Sequence, residues 1–209
     1  MTGTGKDLVL FDFDGTLTLH DTLPAFMRRA VPRPRYLASA VLLSPLLFGY
    51  RCGRVSGHTI RSAIMRAGFS GVECARLEAI GAEFAQDTLP GVLRPEAMAQ
   101  LQRHRDVGDT VVVVSAGLDL YLAPWCAAQG VELLCSRLER RGRRFTGRYL
   151  DEQCAGAEKA RRVRAAHDLT RFRHIHAWGD THEDAELLAL AHTRIYRGRN
   201  ISNGPLPSR

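Results

Sequence analysis

Residues Asp12 to Thr18 read DFDGTLT, and they follow the apolar run LVLF at Leu8 to Phe11. A short continuous apolar run suits a strand buried on both faces, and polar residues at its end mark the C-terminal edge of a parallel sheet. Strand alternation carried past Phe11 puts Asp12 and Asp14 on one side and Phe13 on the other. Two carboxylates so close repel each other and raise one pKa unless a cation lies between them. Hard anionic oxygens suit Mg²⁺ better than zinc. Gly15 permits a tight turn, so the backbone N–H groups of Gly15 and Thr16 can approach a phosphate.

Similar runs recur along the chain. Thr110 to Val114 ends at Ser115, Val131 to Cys135 at Ser136, and His174 to Trp178 at Gly179 and Asp180, with Arg194 to Tyr196 as a further candidate strand. Helix-like segments lie between them at Pro95 to His104, Leu120 to Gln129, Glu158 to Leu169 and Glu183 to Ala191, the last with Leu187, Leu188 and Ala191 on one face. This alternation predicts an α/β fold, a Rossmann-like doubly wound parallel sheet. Leu23 to Thr88 breaks the pattern: it reads as helices without strands, punctuated by Pro32, Pro34 and Pro45, and suits a small all-helical cap. The expected division is a core of residues 1–20 and 89–209 with the cap, 21–88, inserted. Arg137 to Leu150, RLERRGRRFTGRYL, suits a β-hairpin flap turning at Gly142.

At 209 residues, 45% apolar and 24% charged, the chain folds around a core, which excludes a disordered tail, collagen and a solenoid. Its net charge of +7 is local: Thr22 to Val72 holds eight arginines and no acid. Such a field points to an anionic partner, either a phosphorylated substrate or a membrane surface. Nucleic acid is not expected, because aromatic residues are not interleaved with the cap arginines. Tyr36 to Tyr50, YLASAVLLSPLLFGY, is too short to span a bilayer: its 15 residues reach about 22 Å as a helix, with Pro45 inside. It reads as a buried cap helix, or as an interfacial helix on anionic lipid. Five cysteines without a CxxC pair argue against a disulfide framework and a zinc site, and Met1 to Asp7 is polar and lacks the pattern of an export signal. The expected setting is cytoplasmic, with peripheral contact at the inner membrane face if the apolar run meets lipid.

Three further stretches follow DFDGTLT in order: VVVVSAG with Ser115 and Ala116, GAEKARRV with Lys159, and GDTHEDAELL with Asp180 and Asp184. Together they resemble the haloacid dehalogenase (HAD) superfamily over nearly the whole chain, and the insertion after the first motif is similar to its type C1 cap. Asp21-Thr22, VSA, YLAPW and GAEK look most like the phosphoserine-phosphatase-like branch, subfamily IB. The chain has only two lysines, Lys6 and Lys159, so a lysine inside this motif carries weight.

The resemblance implies a hydrolase of phosphoric monoester bonds. Asp12 is then the nucleophile that forms an aspartyl phosphate, and Asp14 the acid toward the leaving alcohol and afterwards the base toward water. Ser115, Ala116, Gly15 and Thr16 are implied to bind phosphoryl oxygens, and Lys159 to offset charge between the phosphate and Asp12. Mg²⁺ is implied at Asp12, the Asp14 carbonyl and Asp180, with Asp184 in support through water or Lys159.

Two departures bear on the substrate. Nine positions after the nucleophile, phosphoserine phosphatases carry a glutamate that holds the substrate amine; here it is the shorter Asp21, which serves equally as a cap hinge. The fourth motif opens GDT rather than GDS or GDG. The expected function is Mg²⁺-dependent hydrolysis of a phosphate monoester of a small alcohol. One alternative is a lipid head-group phosphatase, phosphatidylglycerophosphate-like, at the cytoplasmic membrane face. The other is a non-catalytic anion-binding HAD-like module, against which stands the presence of Asp12, Asp14, Lys159, Asp180 and Asp184 together.

Overall fold

Leu8, Val9, Leu10 and Phe11 form strand β1, and none of them exposes any surface. Val9 and Phe11 join one hydrophobic cluster while Leu8 and Leu10 join another, so the run is continuous because both faces of the sheet are covered. Burying a large apolar side chain contributes roughly 1.5–3 kcal/mol, which makes this strand the centre of the fold. The computed structural model describes residues 5–206; the polar start Met1 to Thr4 lies outside the described residues.

The strands in chain order are β1, β2 (Thr110–Leu118), β3 (Glu132–Ser136), β4 (Leu138–Arg141), β5 (Arg144–Tyr149), β6 (Ile175–Gly179), β7 (Thr193–Tyr196) and β8 (Arg199–Asn200). Six of them make one sheet in the order β3-β2-β1-β6-β7-β8, parallel except for β8. The chain leaves β1 toward β2 and β3, then returns to its other side as β6. That reversal opens a crevice at the carboxyl ends of β1 and β6, where open α/β sheets bind ligands.

Five of the six α-helices between β1 and β2 follow one another directly after β1: α1 (Leu23–Ala30), α2 (Arg33–Leu42), α3 (Ser44–Arg51), α4 (Gly57–Phe69) and α5 (Cys74–Asp87). They form the helical cap. The rest are α6 (Pro95–Asp106), α7 (Asp119–Gln129), α8 (Ala157–Ala166) and α9 (Ala185–Leu188). Leu101 of α6 and Trp125 of α7 join the cluster on one sheet face, and Val163 of α8 and Leu187 of α9 that on the other. The sheet is therefore doubly wound. Phe26 of α1 meets Phe69, Phe84 and Tyr121 with ring centroids 4.8–5.9 Å apart, an aromatic seam joining cap helices to α7.

The hairpin β4–β5 turns at Gly142, whose φ of 61° favours glycine. The hairpin is stitched to the α4–α5 connection and the start of α5 by Gly71 N to Phe145 O (2.8 Å), Phe145 N to Val72 O (2.9 Å) and Cys74 N to Arg143 O (2.9 Å).

Three expectations need correction. The helix expected over Glu158 to Leu169 ends at Ala166, and a 3-10 turn at Leu169–Arg171 follows, capped by Asp168 accepting from Thr170 N. The helix expected over Glu183 to Ala191 is a 3-10 turn at His182–Asp184 followed by the single-turn α9, because the Asp184 carboxylate accepts the N–H groups of Asp180 and Thr181 and tightens the chain. The run Tyr36 to Tyr50 is not a buried cap helix. It is split between α2 and α3, where Pro45 takes a first-turn position that needs no N–H, and neither helix buries a residue. Among the described residues no helix is long and apolar enough to cross a membrane.

Candidate active site

The site begins where β1 ends. Asp12 N donates to Trp178 O at 3.0 Å, which continues the β1–β6 pairing by one residue and brings Asp12 beside the end of β6. The strand stops there, and Asp14 lies in the turn that follows rather than on strand alternation. Gly15, with φ 77°, faces Asp180 so closely that any Cβ there would collide with the Asp180 carboxylate. Arg94 holds the turn from outside, its Nε donating to Thr18 O at 2.9 Å and Gly15 O at 3.2 Å. Nothing in an arginine-rich sequence distinguishes Arg94 for that task.

Lys159, on the first turn of α8, is buried and donates from Nζ to Asp12 Oδ1 and to Asp184 Oδ1, both at 2.5 Å. The other Asp184 oxygen accepts from Asp180 N (3.1 Å), Thr181 N (3.0 Å) and Thr181 Oγ1 (3.2 Å). Burial alone would raise the Asp184 pKa, but Lys159 and these amides overturn it and hold the carboxyl below its ordinary value. Asp12 goes the other way: burial and the Asp184 charge push it well above the usual range despite Lys159. Burial opposes the charge on Lys159, and the two carboxylates overcome that and raise its pKa.

Asp14 is fixed from the cap side. Its Oδ1 accepts from Thr22 N and from Thr22 Oγ1, each at 2.7 Å. Thr22 spends its single hydroxyl proton there, so the buried Tyr121 hydroxyl is the donor in its 3.3 Å contact with Thr22 Oγ1. Burial raises the Asp14 pKa to about 6, against the pull of both Thr22 hydrogen bonds. The sequence offers Thr22 and Tyr121 only as members of the stretches Asp21-Thr22 and YLAPW, with no role for either side chain. Their part depends on one hydrogen-bonded chain between residues 99 positions apart.

The remaining sequence candidates are distributed around this centre. Ser115, in β2, is buried with its Oγ accepting from Gly117 N at 2.9 Å, and Ala116 beside it is half-buried. Thr16 Oγ1 is buried without a hydrogen-bond partner. Asp21 is exposed, and its charge acts on both Asp14 and Asp180. A cavity of about 910 Å³ opens beside Gly15, Thr16 and Asp180, lined further by Arg94, Arg103 and Arg197. Asp180 lines it while Asp12 and Lys159 do not, so the cavity reaches the edge of the carboxylate cluster of Asp12, Asp180 and Asp184.

Oxygens of Asp12, Asp180 and Asp184 lie within 4.8 Å of one another. One lysine against three carboxylates leaves an excess of negative charge. Burial and then the Asp184 charge raise the Asp180 pKa to about 6, and its buried Oδ1 has no hydrogen-bond partner. An oxygen-only donor set with uncompensated charge fits a hard divalent cation. Asp12 and Asp180 have the oxygens to offer, because both Asp184 oxygens already receive donors.

Residues 9–189 match the family described as haloacid dehalogenase-like hydrolase. Protein CicA of Caulobacter vibrioides is 36% identical over 199 residues, covering 92% of this chain and 87% of that protein. Among solved structures, a protein of unknown function from Bordetella pertussis Tohama I superposes with TM-score 0.79 at 24% identity, covering 92% of this chain and 90% of its own. A phosphoserine phosphatase, solved as a phospho-aspartyl intermediate analogue, gives TM-score 0.64 at 18% identity, with 92% and 87% covered. Those two likenesses are of fold: sheet, helical insertion and hairpin. The family match and the similarity to CicA both extend over most of the sequence, and on them this chain belongs to the haloacid dehalogenase-like hydrolase family.

Proposed function

We propose that the chain is an Mg²⁺-dependent phosphomonoesterase that transfers the phosphoryl group of a small alcohol's phosphate ester to Asp12 and then to water. The observation that carries this reading is the buried contact of Lys159 with Asp12 and Asp184, beside an Asp14 held separately by Thr22. Lys159 fixes Asp12 Oδ1, which leaves Oδ2 to attack phosphorus; the Asp12–phosphorus bond forms as the ester P–O bond breaks. Asp14, with a pKa near 6, is partly protonated near neutral pH and gives its proton to the departing alkoxide. The resulting carboxylate then takes a proton from the water that attacks phosphorus, and the Asp12–phosphorus bond breaks to release phosphate. Ser115 and the amides of Gly15, Thr16 and Ala116 serve the phosphoryl oxygens. Asp12, the Asp14 carbonyl and Asp180, supported by Asp184, would hold Mg²⁺, which when bound would supply charge stabilisation for the transferring phosphoryl group.

The five helices after β1 support taking residues 21–88 as the cap that covers this site and selects the leaving group. Asp21 is the cap residue we assign to the substrate side, since its charge reaches Asp14 and Asp180. A second reading, a lipid head-group phosphate, is favoured by the exposed apolar surface of α2 and α3. Phosphate release is to be followed with Mg²⁺ and with EDTA over phosphoserine, phosphoethanolamine, glycerol phosphates and phosphatidylglycerophosphate in mixed micelles. Metal-dependent release from the soluble esters upholds the first reading and preference for the micellar substrate the second. No metal-dependent release from any of them overturns both and leaves the anion-binding module.

A further inference from the structure

We propose that the exposed face of α2 and α3 docks on an anionic lipid bilayer. Neither helix contains a buried residue, and Leu37, Val41, Leu42, Leu47, Phe48 and Tyr50 keep 37–75% of their surface exposed. Six large apolar side chains exposed on two adjoining helices mark an interaction site. Helices of ten and eight residues cannot cross a bilayer, but they can lie in its interface with apolar side chains about 5–10 Å deep.

Charge selects the partner. Exposed Arg33 precedes the apolar run and exposed Arg51 and Arg54 follow it, while no acid occurs from Thr22 to Val72. Other arginines of the stretch already have partners within the chain: Arg35 with Ala67 O and Ser70 O, and Arg29 with Glu83 and Asp87. A second copy of the chain is a poor occupant. A two-fold contact sets the patch against itself, and here that brings arginines toward arginines with no acid in the segment to offset them. A membrane with anionic head groups supplies an apolar layer and negative charge in the order this surface presents them.

The patch is also tied to the site. Both α2 and α3 pack on α4, and the first residue of α4, Gly57, abuts Glu183, to which Arg61 of the same helix donates at 3.1 Å. Glu183 stands three residues after Asp180. Docking through α2 and α3 thus fixes the orientation of the site relative to the lipid surface. The inference does not depend on which ester the enzyme hydrolyses.

The test is co-sedimentation of the whole chain with large vesicles of phosphatidylcholine, alone or with about 30 mol% phosphatidylglycerol, at low salt and at about 0.5 M NaCl, where the Debye length falls to about 4 Å. The chain should sediment with the anionic vesicles at least about tenfold more strongly than with the neutral ones, and high salt should release it. The double variant V41E/F48E should lose about tenfold or more of this binding while retaining its circular dichroism and its turnover of p-nitrophenyl phosphate. Absence of vesicle binding, or binding that survives V41E/F48E, overturns the proposal. So does a wild-type dimer in sedimentation velocity that V41E/F48E converts to monomer, because the patch is then a contact between copies.

Discussion

Lys159 Nζ lies 2.5 Å from Asp12 Oδ1 with both side chains buried, so the reactive carboxylate and its counter-ion are held together away from water. The same ammonium is bound to Asp184. Removing one partner of a buried ion pair leaves an unneutralised charge, which costs about 3–5 kcal/mol. Lys159→Met should therefore lower the unfolding free energy by about that amount in urea denaturation, and turnover should fall below detection. A Lys159→Met protein as stable as wild type contradicts the assignment of Lys159 as the charge that balances this cluster.

Asp180 should report the metal. A cation that binds only the native state stabilises it by about 2.7 kcal/mol at one hundred times its dissociation constant. Mg²⁺ in that excess should raise the calorimetric midpoint of the wild-type protein, with EDTA reversing the rise, and Asp180→Asn should remove most of the increment. An equal Mg²⁺ response in both proteins places the cation elsewhere.

Thr22 positions Asp14 through two hydrogen bonds, one from its amide and one from its hydroxyl. Thr22→Val keeps the amide and the shape but deletes the hydroxyl, and with it the link to Tyr121. A hydrogen bond to a charged acceptor contributes about 1.5–3 kcal/mol, so kcat should fall roughly tenfold to a hundredfold with little change in KM. Thr22→Ser should restore most of it, and failure of that rescue would assign Thr22 a packing role only.

These residues mark how far the sequence carried. Asp12, Lys159, Asp180 and Asp184 stood out because each follows a strand or lies at the start of a helical segment, inside stretches whose order is itself informative, whereas Asp14 stood out through DFDGTLT alone and lies in a turn, not on strand alternation. The link between Thr22 and Tyr121 was not legible, because the contact that joins them spans the cap-to-core seam and leaves no periodic trace. The ends of α8 and α9 were misplaced for a local reason: side-chain carboxylates at Asp168 and Asp184 capture backbone N–H groups and override the apolar spacing. The run Tyr36 to Tyr50 was legible as apolar but not as exposed, since composition alone cannot say whether a neighbour covers it.

Glu158 gives the fold a pH dependence. The hydrogen bonds from Arg161, ahead of those from Arg162, pull its pKa from an ordinary 4.5 to about 2, although burial works against them. A carboxyl depressed in the folded state contributes stability that is fully present above its unfolded pKa and is lost as protons bind. The contribution should therefore fade as pH drops from about 4.5 toward 2. Denaturation midpoints of wild type and Glu158→Gln should converge over that interval and stay apart above it, whereas a constant gap at every pH would exclude Glu158 as the source.

Transfer of the phosphoryl group to Asp12 can be seen by acid-quenching the enzyme during turnover of p-nitrophenyl phosphate with Mg²⁺ and mapping the peptides by mass spectrometry. A phosphoryl adduct is expected on the peptide containing Asp12, with neither adduct nor turnover in Asp12→Asn. Undiminished turnover in Asp12→Asn, or an adduct on another residue, would contradict it.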